Sequence, residues 1–392
     1  MGKKGTFKIE QINSHGEVVE DFDNILSPRE TKALVLKIFP ETYEDLGNIF
    51  TIYKDRIFCI VIKNISYLGN PHPSFKKRIQ IDNKTKNLVV TNLEKGIETR
   101  ILGVYSYDNS PLFCDFNVDD YIVRKLNNSS AHIYTNDLQR ARILGLTTKT
   151  DFNRNRITVF DSENIENFFK TLVGVYENTE IRTINIIDDF FSGLSKIWNG
   201  IDCYEEMRND HFPDAFQAEW PGFYLEYLFD KFIPKKSKNA KYVEYRKFKK
   251  KSDIDLDLYF GMMNSFGDLK THSRNSSGIL GNDFSTIEKL INNNRIWYVV
   301  CEFDAIKDKD MNFKVTESWN QWLLKEDRHS YGGKMKNQVS LLKYYILEIN
   351  KSNFKYVKEF HQGKNSNGLP RKSKTLIRKS EIGDFLIHSK DL

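Results

Sequence analysis

The chain has 392 residues, with 59 Lys and Arg against 53 Asp and Glu, a net charge of +6 and 40% hydrophobic residues, which suits a two- or three-domain protein able to bury substantial cores. No apolar run reaches the roughly 20 residues of a membrane span, and the start Met1-Gly2-Lys3-Lys4 lacks a secretory apolar stretch, so a cytoplasmic protein with no membrane partner is expected. Cys59, Cys114, Cys203 and Cys301 are scattered without metal-binding spacing and should be reduced, mostly buried thiols.

The first 160 residues read as a β-rich domain, with short extended runs expected at 49–65, 76–81, 86–91 and 99–107 between polar turns. Asn70-Pro71-His72-Pro73 must be turn or extended, because proline restricts itself and its predecessor. Behind it stand Lys76, Lys77, Arg78 and Gln80, donors suited to DNA phosphates and base edges; the same pattern equally describes a hairpin with a basic exposed face. Residues 136–145 and 162–175 read as helices, and the polar stretch 147–156 as a surface connection. Residues 161–205 form a helical link to a second domain at 206–392.

That second domain opens with a helix expected at 212–232, where Trp220, Phe223, Tyr224, Tyr227, Leu228 and Phe232 recur at helical spacing and Glu219 and Glu226 fall on nearly one face. A first strand is expected at 242–249, within a basic stretch that includes Arg246 and Lys249. In 253–260 Ile254, Leu256, Leu258 and Phe260 alternate with Asp253, Asp255, Asp257 and Tyr259, the period of a half-buried strand with its acids on one face. After a break at 261–264, residues 265–272 read as another strand with Phe266, Asp268, Lys270 and His272 on one side and Leu269 on the other. So short a connection predicts an antiparallel hairpin that sets Asp257 or Asp255 beside Asp268. A helix at 284–293, begun by the Asn282-Asp283 cap signal, leads to a buried strand at 296–303. Residues 334–351 read as a packing helix, and Lys364, Arg371, Lys372, Lys374, Arg378 and Lys379 form a second basic cluster. Gly332-Gly333-Lys334 lacks the remaining features of a phosphate-cradling loop, so no ATP dependence is expected.

Carboxylates gathered at one point repel each other unless a cation neutralises them. All-oxygen ligation suits Mg2+, with Mn2+ as the alternative, rather than zinc. The order helix, strand, strand, strand, helix, strand, with acids on the second strand and Asp268-Leu269-Lys270 on the third, resembles the PD-(D/E)XK nuclease superfamily, and more narrowly a type II restriction endonuclease. The resemblance implies an α/β fold with a mixed sheet flanked by helices, and hydrolysis of double-stranded DNA by a homodimer. It also implies metal ligands at Asp257 (or Asp255) and Asp268, the main-chain carbonyl of Leu269 as a further ligand, and Lys270 serving the attacking water. Glu226, or Glu219, takes the place of the helical glutamate found in many members. No proline precedes the first acid, which leaves Asp255 and Asp257 in competition. His272, Lys76, Lys77, Arg78, Gln80, Arg246, Lys249, Arg371 and Lys372 are the expected DNA contacts. Structure-specific or modification-dependent cleavage, and DNA binding without catalysis, are the other classes compatible with this reading.

Overall fold

A computed structural model describes residues 3–122, 128–212, 217–233, 237–246, 256–311, 318–326, 334–364 and 368–392. Asp255 and Lys249, like Gly332 and Gly333, lie outside the described residues. The chain divides into two compact units, one running to Asn178 and the other beginning at Thr179. The fold is mixed α/β, with a β-rich first unit.

The first unit is built on a seven-stranded sheet. Its strands pair antiparallel, except that Arg56–Asn64 and Glu98–Tyr107 run parallel. A parallel pair needs a crossover, and the helix Asn83–Glu94 lies on that connection. The sequence pattern made 86–91 extended because Val89, Val90 and Thr91 are β-branched. Helix wins because Asp82 caps it, accepting a hydrogen bond from the Thr85 amide at 2.8 Å, and because Thr85, Val89 and Asn92 fall at helical spacing on the buried side.

Lys77 and Lys149 of this unit are interior. Lys149 belongs to the strand Leu146–Thr150 within the segment expected to be a surface connection. It is 2% exposed and pairs with Asp137 at 2.8 Å, so a buried charge is matched by a buried counter-charge. Lys77 is fully buried and donates to the carbonyl oxygen of Glu10 at 2.7 Å. Burial lowers its pKa to about 8, against the pull of Asp23 and Glu10.

In the second unit the core elements are α1 (Trp220–Phe232), β1 (Glu244–Tyr245), β2 (Leu258–Phe260), β3 (Ser265–Ser273), α2 (Phe284–Leu290), β4 (Ile296–Lys307) and β5 (Lys336–Ile349). Their strands stand side by side in chain order, β1 to β5, with Ile197–Asn199 beyond β5 on the same path. β1, β2 and β3 form an antiparallel meander, β3 and β4 are parallel, and β4 and β5 are antiparallel. The expected helix at 334–351 is therefore a 14-residue strand. Asn337, Val339 and Leu341 alternate with less buried neighbours, and Tyr344 to Ile349 are buried throughout, as in a central strand covered on both faces; such a continuous apolar run carries no period of its own. Helix α1 packs on one face of the sheet, where Leu225 and Phe229 join Leu258, Phe260, Leu269, Trp297 and Val299 in one core.

The opposite face carries a three-stranded sheet of Gly278–Asp283, Lys374–Arg378 and Lys358–Phe360. It is fastened at the fully buried Tyr298 of β4: the Asn282 amide donates to Tyr298 Oη at 3.2 Å, the Thr375 hydroxyl lies 3.2 Å from that oxygen, and Thr375 also reaches the Asn282 carbonyl at 3.4 Å. Asp283 stands at the N-cap of α2 without a capping hydrogen bond, and ion-pairs instead with Lys374 at 2.8 Å and Lys372 at 3.2 Å.

Candidate active site

The site forms where a ladder opens. β2 and β3 pair as an antiparallel hairpin whose last register pair is Leu258↔Gly267. The strand expected at 253–260 begins only at Leu258; Asp257 immediately precedes it and Asp268 follows Gly267 on β3, so the two acids stand just past the last paired rung. β3 continues beyond β2 along β4, with Asp268 beside Tyr298 and Lys270 beside Val300. Period-two alternation then puts Asp268 and Lys270 on one face and sends Leu269 into the core behind them.

Gly267 allows this close approach. A Cβ there would lie 2.5 Å from the Phe260 ring and 2.7 Å from the Trp297 carbonyl oxygen. Gly267→Ala is expected to cost about 1–3 kcal/mol through overpacking and to weaken any activity of the neighbouring carboxylates; a denaturant midpoint equal to that of the parent would reject this account.

Asp268 is 1% exposed. Lys270 Nζ lies 2.5 Å from Asp268 Oδ2, yet that buried oxygen has no well-directed hydrogen bond. Burial, the adjacent Asp268 and then Glu226 push the Asp257 carboxyl far above the usual carboxylate range, with Lys270 acting in the opposite sense. Lys270 is held charged, because Asp268 outweighs the cost of burial. The result is two carboxyls and one ammonium in a low-dielectric niche that favours the protonated form of Asp257. The carboxyl oxygens of this pair are hard donors of the kind that bind Mg2+ or Mn2+. Among the described residues no group of three His, Cys, Asp or Glu side chains is close enough to hold a metal. Asp257 and Asp268 are the carboxyls that the structure brings together here.

Glu226 of α1 is near enough to raise Asp257 and accepts a hydrogen bond from the Tyr245 hydroxyl at 3.1 Å. Glu219, the other helical candidate, stands at the N-cap of α1, where its charge acts on Lys336.

The expected DNA contacts divide. His272 is 5% exposed, its Nε2 has no hydrogen-bond partner, and burial followed by Lys379 lowers its pKa to about 4; a neutral interior imidazole is not a surface phosphate contact. Lys77 is excluded likewise by its burial, because alternation along the strand Lys76–Asp82 turns it inward. Lys76 and Arg78 are half-buried and Gln80 is exposed on the other side of that strand. Arg246 is 47% exposed, stacks 3.7 Å from the Tyr259 ring centroid and bonds Glu244 at 3.0 Å. Arg371 and Lys372 are exposed beside the three-stranded sheet. Tyr245 and Tyr298, which touch or flank the site, were not singled out in the sequence, since a tyrosine in an apolar strand pattern reads as ordinary core.

A family model described as Methylase-associated X1 matches residues 56–169, within the first unit. The match links the chain to a restriction–modification setting. No curated protein and no solved structure matches the chain. No helix among the described residues is long and apolar enough to cross a membrane.

Proposed function

We propose that the protein is a divalent-metal-dependent endonuclease that hydrolyses phosphodiester bonds of double-stranded DNA at a short sequence, as the cleaving arm of a restriction–modification system. The observation that carries this reading is the junction at the end of the β2–β3 ladder, where Asp257 and Asp268 meet with Lys270 Nζ at 2.5 Å. The strand order and the acid-then-Asp-x-Lys placement agree with the PD-(D/E)XK resemblance, and the Methylase-associated X1 match supplies the setting.

In this reading Asp257, Asp268 and the Leu269 carbonyl would hold Mg2+ or Mn2+. When bound, the cation acidifies water and neutralises charge on the phosphoryl group. Lys270, kept charged by Asp268, donates to the attacking water or to a phosphoryl oxygen as negative charge builds there. With a cation in place, the ionised form of Asp257 would be favoured. Glu226 completes the acidic side of the site. Exposed Arg371, Arg378 and Arg246 offer cations to the DNA backbone, whose binding should weaken steeply with salt. The first unit reads the DNA, or a modified base within it. A two-fold symmetric site is most simply cut by a homodimer.

Incubation of the full chain with plasmid and Mg2+ should yield discrete bands, and chelation should abolish them. A smear or cleavage confined to junctions would replace sequence recognition by structure recognition, and binding without cleavage would reject the enzyme.

A further inference from the structure

β1 is only two residues long, yet both its end and its edge reach an acid of the site. Tyr245 pairs in register with Leu258, the residue after Asp257. It is 4% exposed, and its hydroxyl donates to Glu226 Oε2 at 3.1 Å. The next residue, Arg246, uses its main-chain amide to hold the Asp257 carbonyl at 2.7 Å. One short segment thus grips Glu226 through a side chain and Asp257 through the backbone. Burial, Glu226 and Asp257 all disfavour ionisation of the Tyr245 phenol, so it remains a donor across the working pH range.

We infer that Tyr245 is a positioning residue of the metal site, holding the Glu226 carboxylate toward Asp257 so that a divalent cation meets an acidic side already in place. The inference rests on the metal-dependent reading of Asp257 and Asp268 and adds to it a residue that touches neither DNA nor the reacting atoms. A partner that orients an acid near a metal typically governs affinity by about 10-fold to 100-fold, at little cost to the fold when only a hydroxyl is removed.

The experiment is a Tb3+ luminescence titration of the full chain, competed with Mn2+ and run without DNA, alongside cleavage at increasing Mn2+. Tyr245→Phe should weaken metal binding by about 10-fold and raise the Mn2+ needed for half-maximal cleavage by the same factor, with kcat at saturating Mn2+ within about 3-fold of the parent. Glu226→Ala should weaken binding similarly, and adding Tyr245→Phe to it should produce no further loss. Unchanged affinity in Tyr245→Phe, or losses that multiply in the double variant, would overturn the proposal. If the parent chain binds Tb3+ and responds to these variants but cuts no DNA, the nuclease reading fails while the role of Tyr245 stands; if it cuts DNA and Tyr245→Phe leaves metal affinity untouched, the reverse holds.

Discussion

Lys270→Ala is expected to reduce cleavage of a plasmid in Mg2+ by at least about 10³-fold while leaving DNA affinity in Ca2+ within a few-fold of the parent. Two effects combine. The ammonium 2.5 Å from Asp268 is the only lysine or arginine paired with that carboxylate among the described residues, so its loss removes the group placed to meet charge developing on phosphorus, a contribution of about 10²–10⁴ for a positioned proton donor and of similar size for electrostatic stabilisation. It also leaves a carboxylate that is 1% exposed without its counter-charge, which should lower stability by about 3–5 kcal/mol. Stability and activity must therefore be measured together. Cleavage is assayed well below the melting temperature of the variant, and near-parental rates from a folded Lys270→Ala protein would remove Lys270 from the mechanism.

The second large effect has opposite signs for stability and function. Because burial and Asp268 raise the Asp257 carboxyl, the folded chain keeps a proton that the unfolded chain releases near pH 4. Below that pH both states carry it. As pH rises above it, the folded state binds more protons than the unfolded one, so stability falls by up to about 1.4 kcal/mol per pH unit for each proton retained. Asp257→Asn, an isostere of the protonated acid, removes that penalty. In chelator at neutral pH it should be more stable than the parent by roughly 1–3 kcal/mol, with a flatter dependence of stability on pH up to 9, and it should not cut DNA. Saturating Mg2+ should close the gap by stabilising the parent alone, by about 2.7 kcal/mol at one hundred times the dissociation constant. Chemical denaturation between pH 5 and pH 9, with and without Mg2+, measures all of this; a variant less stable than the parent throughout would show that Asp257 is an ordinary ionised surface acid.

The pairing that brings Asp257 to Asp268 was legible in the sequence because a strand declares its faces. Alternation through Ile254, Leu256, Leu258 and Phe260 fixed the side on which Asp257 stands, and the brevity of the break at 261–264 brought Asp268 opposite it. What failed to show is informative. Residues 334–351 misled because the part of the strand from Tyr344 to Ile349 is buried on both faces and has no alternation, and Val339, Leu342, Tyr345 and Ile346 fit helical spacing by coincidence. Residues 86–91 misled because β-branched composition was weighed above the Asp82 cap. Lys77 and Lys149 misled because charge was equated with exposure, whereas a carbonyl and a carboxylate receive them inside. Tyr245 and Tyr298 carry no mark in a single sequence, since their roles depend on which groups the sheet sets beside their hydroxyls.

If the chain cuts DNA as proposed, the fastening of Tyr298 to Asn282 and Thr375 would bear on where a bound strand is severed. On that proposal, a phosphate held at Arg378, the last residue of the strand Lys374–Arg378, would be linked through Thr375 on that same strand to Tyr298, the residue paired with Asp268. These hydrogen bonds would then set the offset between the held phosphate and the cut like a ruler, and the spacing of the nick from the held backbone should stay constant when substrate sequence or temperature is varied.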